Sequence, residues 1–452
     1  MISKGQKRFD PRRALRAAAA RLKLRSVAQR LNGTLGSRLL DWRARLRRPA
    51  LNHVTFVSVT GSCGKSTTTV LIQEVLSRIG PCQSCINEPL RTSLDIRLWR
   101  LITSAGAATR YCVHETASVG PGSIGRQLDL LQPRIGVVTN VGSDHRSKFR
   151  NLEATAREKG TLVERLPPYG TAILNADDPL VLAMAARTRA RVVTYGLSPE
   201  ADIRGGDIAS RWPDRLSLNV SYGGETVGVA TRLVGEHWAT SVLAAVACGV
   251  ACGLGLEACA RAVARVEPVY GRYSIHIKEG GPAFVLDCIK APNWTVPAAL
   301  GFVAAASAPR KTIVFGTISD YAGKAGRVYR RVAREALAVA DRVVIVGPHS
   351  GHVARLSPGE QRLFAFQSAY EASSFLAQLP LRGELIFIKA SRNADHLDRI
   401  MLAQLDDVVC WRERCHKVWN CFDCKQYRRP SLPPVAAVGT EAEVRATASD
   451  AA

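Results

Sequence analysis

The chain has 452 residues, 46% of them hydrophobic, and carries 62 Lys plus Arg against 38 Asp plus Glu, a formal charge of +24. That length and composition exclude a disordered chain and predict two or three globular domains with a substantial core. No stretch holds the roughly 20 apolar residues of a membrane span, and the N-terminus, broken by Arg16, Arg21, Lys23 and Arg25, lacks the apolar core of a secretory signal. A cytoplasmic enzyme is the expectation.

Residues 1–50 read as a basic helical arm, with fifteen Lys or Arg against Asp10 and Asp41. Its partly amphipathic leucine spacing suits packing on its own domain, peripheral binding to an anionic membrane, or contact with nucleic acid. The alanine- and arginine-rich, acid-poor composition is also that of an organelle transit peptide, although serine is scarce. Over 51–268, apolar runs ending in turns alternate with helical patterns: "FVSVTG" and a helix, "RIGVVTNVG" and "LEATAREKGTLVERL", "GTAILNADDP" and "LVLAMAARTRA", then "RVVTYG". The alternation predicts an α/β domain, a P-loop-containing doubly wound parallel sheet that binds ligands at the carboxyl ends of its strands. Within it, "RLSLNVSY" and "TVGVATRL" predict a small antiparallel excursion, and "HWATSVLAAVACGVACGLG" a closing helix. Over 269–405, "AFVLDCI", "KTIVFG", "RVVIVG" and "ELIFIKA" are separated by helical patterns and predict a second, Rossmann-like α/β domain. A Cys-rich basic tail occupies 406–429, and 430–452 has no periodicity and reads as disordered.

The first chemistry-bearing stretch is "VTFVSVTGSCGKSTTT". Gly61 and Gly64 let the backbone turn tightly with its N–H groups inward, and the helix opening at Lys65 adds its positive end. Lys65 suits the β- and γ-phosphates of a nucleotide and Ser66 suits Mg²⁺, with Thr67 next on the same helix. The usual Walker spacing would place a glycine at 59, where this chain has Val59.

The shortened T-G-x-x-G-K-[ST]-T loop resembles that of the Mur ligase superfamily: the muramyl-peptide amino-acid ligases, folylpolyglutamate synthase and poly-γ-glutamate synthase. Further motifs follow in the family's order. In "HETASVGPGSIG", Glu115 matches the family's metal-binding glutamate, and the glycine-rich continuation looks most like the ligase that adds the terminal dipeptide. "VVTNVGSDHRSKF" places Asn140 by the phosphates and His145 at a second Mg²⁺. "AREKGTLVERL" puts Lys159 where the family has a commonly carbamylated lysine, and "AILNADDP" brings Asn175 and Asp177 near the nucleotide or into a structural turn. In the second domain Arg272 of "YGRYS" matches an arginine that reaches nucleotide phosphate from the hinge. Asp287 and Lys290 of "LDCIKAPN" occupy the D-x-x-H-x-P-[DN] turn, and Lys389, Ser391 and Arg392 of "IFIKASR" face the closing site. Read alone, Glu115 is a solvated strand-end carboxylate, His145 a surface histidine and Lys159 a salt-bridging helix lysine.

The resemblance implies an ADP-forming acid–amine ligase that activates a carboxylate as its acyl phosphate and couples it to an amino acid or another amine. Lys65, Glu115, His145 and Lys159 would serve catalysis, Ser66, Glu115 and His145 would hold Mg²⁺, and Gly61, Gly64, Lys65, Ser66, Thr67, Asn140, Arg272, Asp287 and Lys290 would bind ATP. The sequence departs from the family in three places. Lys65 is preceded only by the basic arm rather than by a UDP-sugar-binding domain, so a carboxylate other than a UDP-muramyl peptide is expected, a poly-γ-glutamate or other cell-envelope polymer among the candidates. Trp238 and Ser241 replace two asparagines in "GEHWATSVLAA", with Trp238 available to stack on adenine, and Lys290 replaces a histidine.

Twelve cysteines in such a chain suggest free thiols or metal ligands. Those scattered through apolar stretches, Cys248, Cys252 and Cys259 among them, read as core residues, and the Cys82–Cys85 pair as structural. "CWRERCHKVWNCFDC" holds Cys410, Cys415, Cys421 and Cys424 with His416 nearby; four such ligands could close a zinc site, or the cysteines stay reduced on a terminal segment. Two rivals to the ligase stand beside it: a P-loop ATPase docked to nucleic acid or membrane through the arm and tail, and a regulatory relative without turnover.

Overall fold

The computed structural model describes residues 38–86, 94–143, 146–354, 356, 361–413, 415, 420–424 and 426–427. Most of the arm, the aperiodic C-terminal segment and both His145 and His416 lie outside them.

Two sheets organise the molecule. The first has nine strands: β1 (Thr55–Thr60), β2 (Cys82–Cys85), β3 (Tyr111–Glu115), β4 (Ile135–Val138), β5 (Thr171–Asn175), β6 (Arg191–Gly196), β7 (Ile203–Ala209), β8 (Ser217–Tyr222) and β9 (Glu225–Ala230), in the order β2-β3-β1-β4-β5-β6-β7-β8-β9. Strands β1 to β7 pair in parallel, and β7-β8-β9 is the antiparallel excursion read from the sequence. Because β1 lies between β3 and β4, the chain leaves it to one side and later resumes on the other, so the crevice beyond its carboxyl end is a topological switch point.

Successive strand residues point to opposite faces, and here both faces are covered, which accounts for the unbroken apolar runs. Val57, Val59, Val113, Val137 and Ile173 pack with α1 (Lys65–Leu76) and with the almost wholly apolar helix of residues Ala239–Ala251. Their neighbours Phe56, Cys112, Val138 and Leu174 face α2 (Leu94–Ser104), α3 (Ser123–Leu131) and α4 (Leu152–Glu164). The Ala239–Ala251 helix is α5, followed by α6 (Leu256–Val263).

The second sheet comprises β10 (Ser274–Ile277), β11 (Ala283–Asp287), β12 (Lys311–Phe315), β13 (Arg342–Val346), β14 (Leu363–Phe366) and β15 (Leu385–Lys389), in the order β10-β11-β15-β12-β13-β14 and parallel apart from the β10/β11 edge. One face packs on α7 (Val296–Ala305) and α8 (Ala325–Leu337). The other packs on α9 (Ala369–Ala377) and α10 (Asp398–Leu405). Val285, Phe302 and Phe387 share a cluster with Trp238 and Leu243 of the first sheet's layer, so one apolar core runs through both lobes.

Candidate active site

The loop between β1 and α1 is shaped by its two glycines. Gly61 has φ +147°, and a Cβ there would collide with the Thr139 hydroxyl. Gly64 caps α1 at φ +79°, a left-handed conformation that L side chains disfavour, and Ser241 of α5 packs against it. The cap supplies no side-chain acceptor, so the first amides of α1 are left for an anion. Val59, where the longer loop would have glycine, is a fully buried residue of β1.

Asn140, at the turn after β4, ties the loop down. Its Oδ1 accepts from Ser62 N at 3.1 Å and Cys63 N at 2.8 Å, while the Thr139 hydroxyl donates to Cys63 O at 2.6 Å. Asn175 in turn donates to Thr139 O at 2.8 Å, and Asp177 accepts from Leu197 N and Ser198 N. These polar residues fix the floor of the loop. Lys65 Nζ lies across it, donating to Gly61 O at 2.7 Å and more weakly to Ser62 O at 3.4 Å. Next to it the Ser66 hydroxyl donates to Glu115 Oε2 at 2.7 Å, both residues being buried. A carboxylate and a hydroxyl meeting at the end of adjacent strands, beside a helix N-terminus and a lysine, form an oxygen donor set suited to Mg²⁺ and a polyphosphate. Thr67 is buried behind Ser66 on α1.

The neighbouring shell is polar and buried. His114, one residue before Glu115, contacts the Thr116 hydroxyl at 3.0 Å, and burial pushes its pKa down to about 4. Glu158 accepts from Gly122 N at 2.7 Å and Ile124 N at 2.8 Å, placing its charge at the amino end of α3. Lys159 follows it on α4 and is 1% exposed, unlike a surface salt-bridging lysine.

The second lobe reaches this crevice from the carboxyl ends of β11 and β15. Asp287 and Lys389, paired in register, form a salt bridge with the ammonium almost wholly buried. Burial, and after it the charge of Asp287, raises the pKa of Tyr273, which packs between His237 and Trp238 of the first lobe and Phe302 and Phe387 of the second. Tyr273 packs on His237 at 4.4 Å between ring centres, and burial pushes His237 down to about 4. Trp294 closes on the turn after β4, where a Cβ on Gly142 would approach its ring within 2.6 Å. Arg146 N donates to Asp320 Oδ1 at 3.3 Å across the same gap.

The structure thus brings Gly61, Gly64, Lys65, Ser66, Thr67, Glu115 and Asn140 together, while Asp287 pairs with Lys389 at the carboxyl ends of β11 and β15. Arg272 is half-buried between left-handed Gly271 and Tyr273, whereas the side chain of Lys290 is exposed beyond β11. Ser391 and Arg392 follow β15, and Ser391 N donates to the half-buried Asp395 carboxylate at 3.0 Å. Trp238 cannot stack on adenine: it is 4% exposed and lies in the core, edge-on to Tyr273 at 5.9 Å. The four tail cysteines do not converge. Among the described residues no three of them offer sulfurs to one ion: Cys421 turns inward beside His396 and Asp398, while Cys415 and Cys424 are half-buried outside that cluster. His237, Trp294 and Glu158 were not legible as site residues; the capping role of Glu158 depends on a contact with the head of α3, 36 residues away in the chain.

Comparison with known proteins agrees with this geometry. Residues 59–249 match the Mur ligase middle domain. The UDP-N-acetylmuramoyl-tripeptide–D-alanyl-D-alanine ligase of Mycobacterium tuberculosis is 28% identical over 381 residues, covering 79% of this chain and 74% of the relative. The UDP-N-acetylmuramate–L-alanine ligase of Stenotrophomonas maltophilia is 33% identical over 211 residues, 46% of this chain and 41% of its own. In fold, MurF from Acinetobacter baumannii superposes with a TM-score of 0.73 at 22% identity, over 82% of this chain and 80% of that one. The MurF ligase from Thermotoga maritima in complex with ADP gives 0.69 at 20% identity, over 80% and 82%. Residues 59–249 thus carry the Mur ligase middle domain, and from the phosphate loop through the paired sheets the chain resembles the Mur ligases in sequence and fold.

Proposed function

We propose that this protein is an ATP-dependent, ADP-forming acid–amine ligase whose substrates are a peptide-bearing or polymeric carboxylate and an amino acid or short peptide amine. The observation that carries the reading is the Ser66–Glu115 contact at 2.7 Å beside Lys65 at the head of α1. Making an amide at neutral pH requires a carboxylate oxygen to become a leaving group, and phosphoryl transfer from ATP does this.

In this reading the loop amides and Lys65 bind and orient the polyphosphate, with Asn140 holding the loop in its anion-binding shape. Mg²⁺, held by Ser66 and Glu115 and at a second position by His145, supplies charge neutralisation when bound. Buried Lys159 suits a modified, anionic form that supports the same region, and Arg272 and Lys290 serve the nucleotide from the second lobe. The division near residues 268 and 269 lets that lobe close, with Trp294 and Tyr273 excluding water from a reactive acyl phosphate. The names of the relatives support a muramyl peptide as carboxylate and D-alanyl-D-alanine or alanine as amine. Among the described residues no helix is long and apolar enough to cross a membrane. The charge of the basic arm supports a salt-sensitive contact with anionic lipid or nucleic acid at a cytoplasmic site.

ADP release with UDP-N-acetylmuramoyl-tripeptide and D-alanyl-D-alanine, measured against each of the two alone, tests the substrate assignment. Release that requires both supports it. Release only with other carboxylates transfers the assignment to those acceptors.

A further inference from the structure

Beyond β15, a short turn places His396 and Asp398 at the head of α10, and the tail returns to lay Cys421 over them. All three are buried, and their ligand atoms lie within 4.8 Å of one another. Cys421 Sγ is 3.5 Å from His396 Nδ1. Two ligands on one tetrahedral zinc, with Zn–S of about 2.3 Å and Zn–N of about 2.0 Å, sit about 3.6 Å apart. Asp398 is 1% exposed and its Oδ2 is oriented by Cys421 N at 2.8 Å and Tyr270 OH at 3.2 Å. Its Oδ1 has no hydrogen-bond partner among the described residues. A buried carboxylate oxygen left without a donor is costly, and this carboxylate lies within reach of an imidazole and a thiol.

We propose that His396, Asp398 and Cys421 bind one divalent transition metal, of which zinc fits the mixed N, O and S donor set. The site shares no residue with the proposed Mg²⁺ ligands and draws only one ligand from the Cys-rich tail. It staples that tail to the second lobe, beside the Arg392–Asn420 bond and the stacking of Tyr270 on Phe422. Binding releases the thiol proton to solvent and forms the metal–sulfur bond without any redox change.

Cobalt(II) tests this directly in the full-length chain after metal removal under reducing conditions. The expected result is one equivalent bound, with a thiolate-to-cobalt charge-transfer band and the intense visible bands of tetrahedral cobalt. Cys421→Ser should abolish the charge-transfer band, and His396→Gln should weaken binding by about 100-fold or more, whereas Cys424→Ser should leave both. Circular dichroism of each variant establishes that it is folded. No cobalt band in the folded wild-type chain would overturn the site. A band that survives Cys421→Ser but disappears with Cys424→Ser or Cys410→Ser would overturn it in favour of a cysteine-only cluster.

Discussion

Ser66 and Glu115 are 49 residues apart in the chain and 2.7 Å apart in space, joined because β1 and β3 are parallel neighbours. Glu115→Gln keeps an acceptor for the Ser66 hydroxyl and removes only the charge. ADP release should therefore fall about 100-fold or more, the scale of losing one electrostatic group in a phosphoryl-transfer site, while the melting temperature stays within about 2 °C. Enzyme assays and thermal melts on one preparation check both halves. His114 gives a pH signature. Its folded pKa of about 4 lies below the unfolded value of 6.5, so the unfolded chain takes up the proton first as the pH falls. Its contribution is complete above pH 6.5 and is lost as the pH drops through 4, at most about 3 kcal/mol. Melts at pH 7.5 and 5 should show a smaller difference for His114→Gln than for wild type. At this scale the sequence was legible where a short motif places its residues together, as at Lys65, Ser66 and Glu115. It was not legible where the partner comes from another element, as for Trp294 on Gly142.

The loop-to-helix junction shows what an element requires of its residues. Gly61→Ala would place a methyl against the Thr139 hydroxyl in a backbone conformation that alanine disfavours, costing about 1–3 kcal/mol. Nucleotide affinity, read by calorimetry with MgADP, should drop more sharply than stability. At the other end of the crevice, Glu158→Ala removes the carboxylate that receives two amides of α3. The loss should be about 2 kcal/mol in denaturant unfolding. Strands β1, β4, β5, β12, β13 and β15 were legible because both faces are buried and their apolar runs are continuous. Edge strand β2 is half-buried, which leaves "CQSC" without such a run, and β14 offers only the four residues of "LFAF". Trp238 misled for a related reason: an aromatic replacing a polar contact residue reads as a ligand platform, yet it fills the core between the lobes.

Across the whole molecule, the two lobes share a core, and at the site Arg146 N of the first meets the Asp320 carboxylate of the second. Asp287→Ala strands the buried Lys389 without its carboxylate, and unfolding should show a cost of about 3–5 kcal/mol. The paired α/β architecture was legible from alternation alone. The contacts between lobes were not, since they depend on how two separately readable units are docked. The central claim is that ATP cleavage here makes a C–N bond. It is tested most directly by mass spectrometry of the purified chain incubated with MgATP, a small-metabolite extract and an amino-acid mixture. The account predicts ADP together with a new mass equal to two reactants minus water, both absent for Lys65→Ala. ADP accumulating at the same rate with no condensation product in any mixture would contradict it.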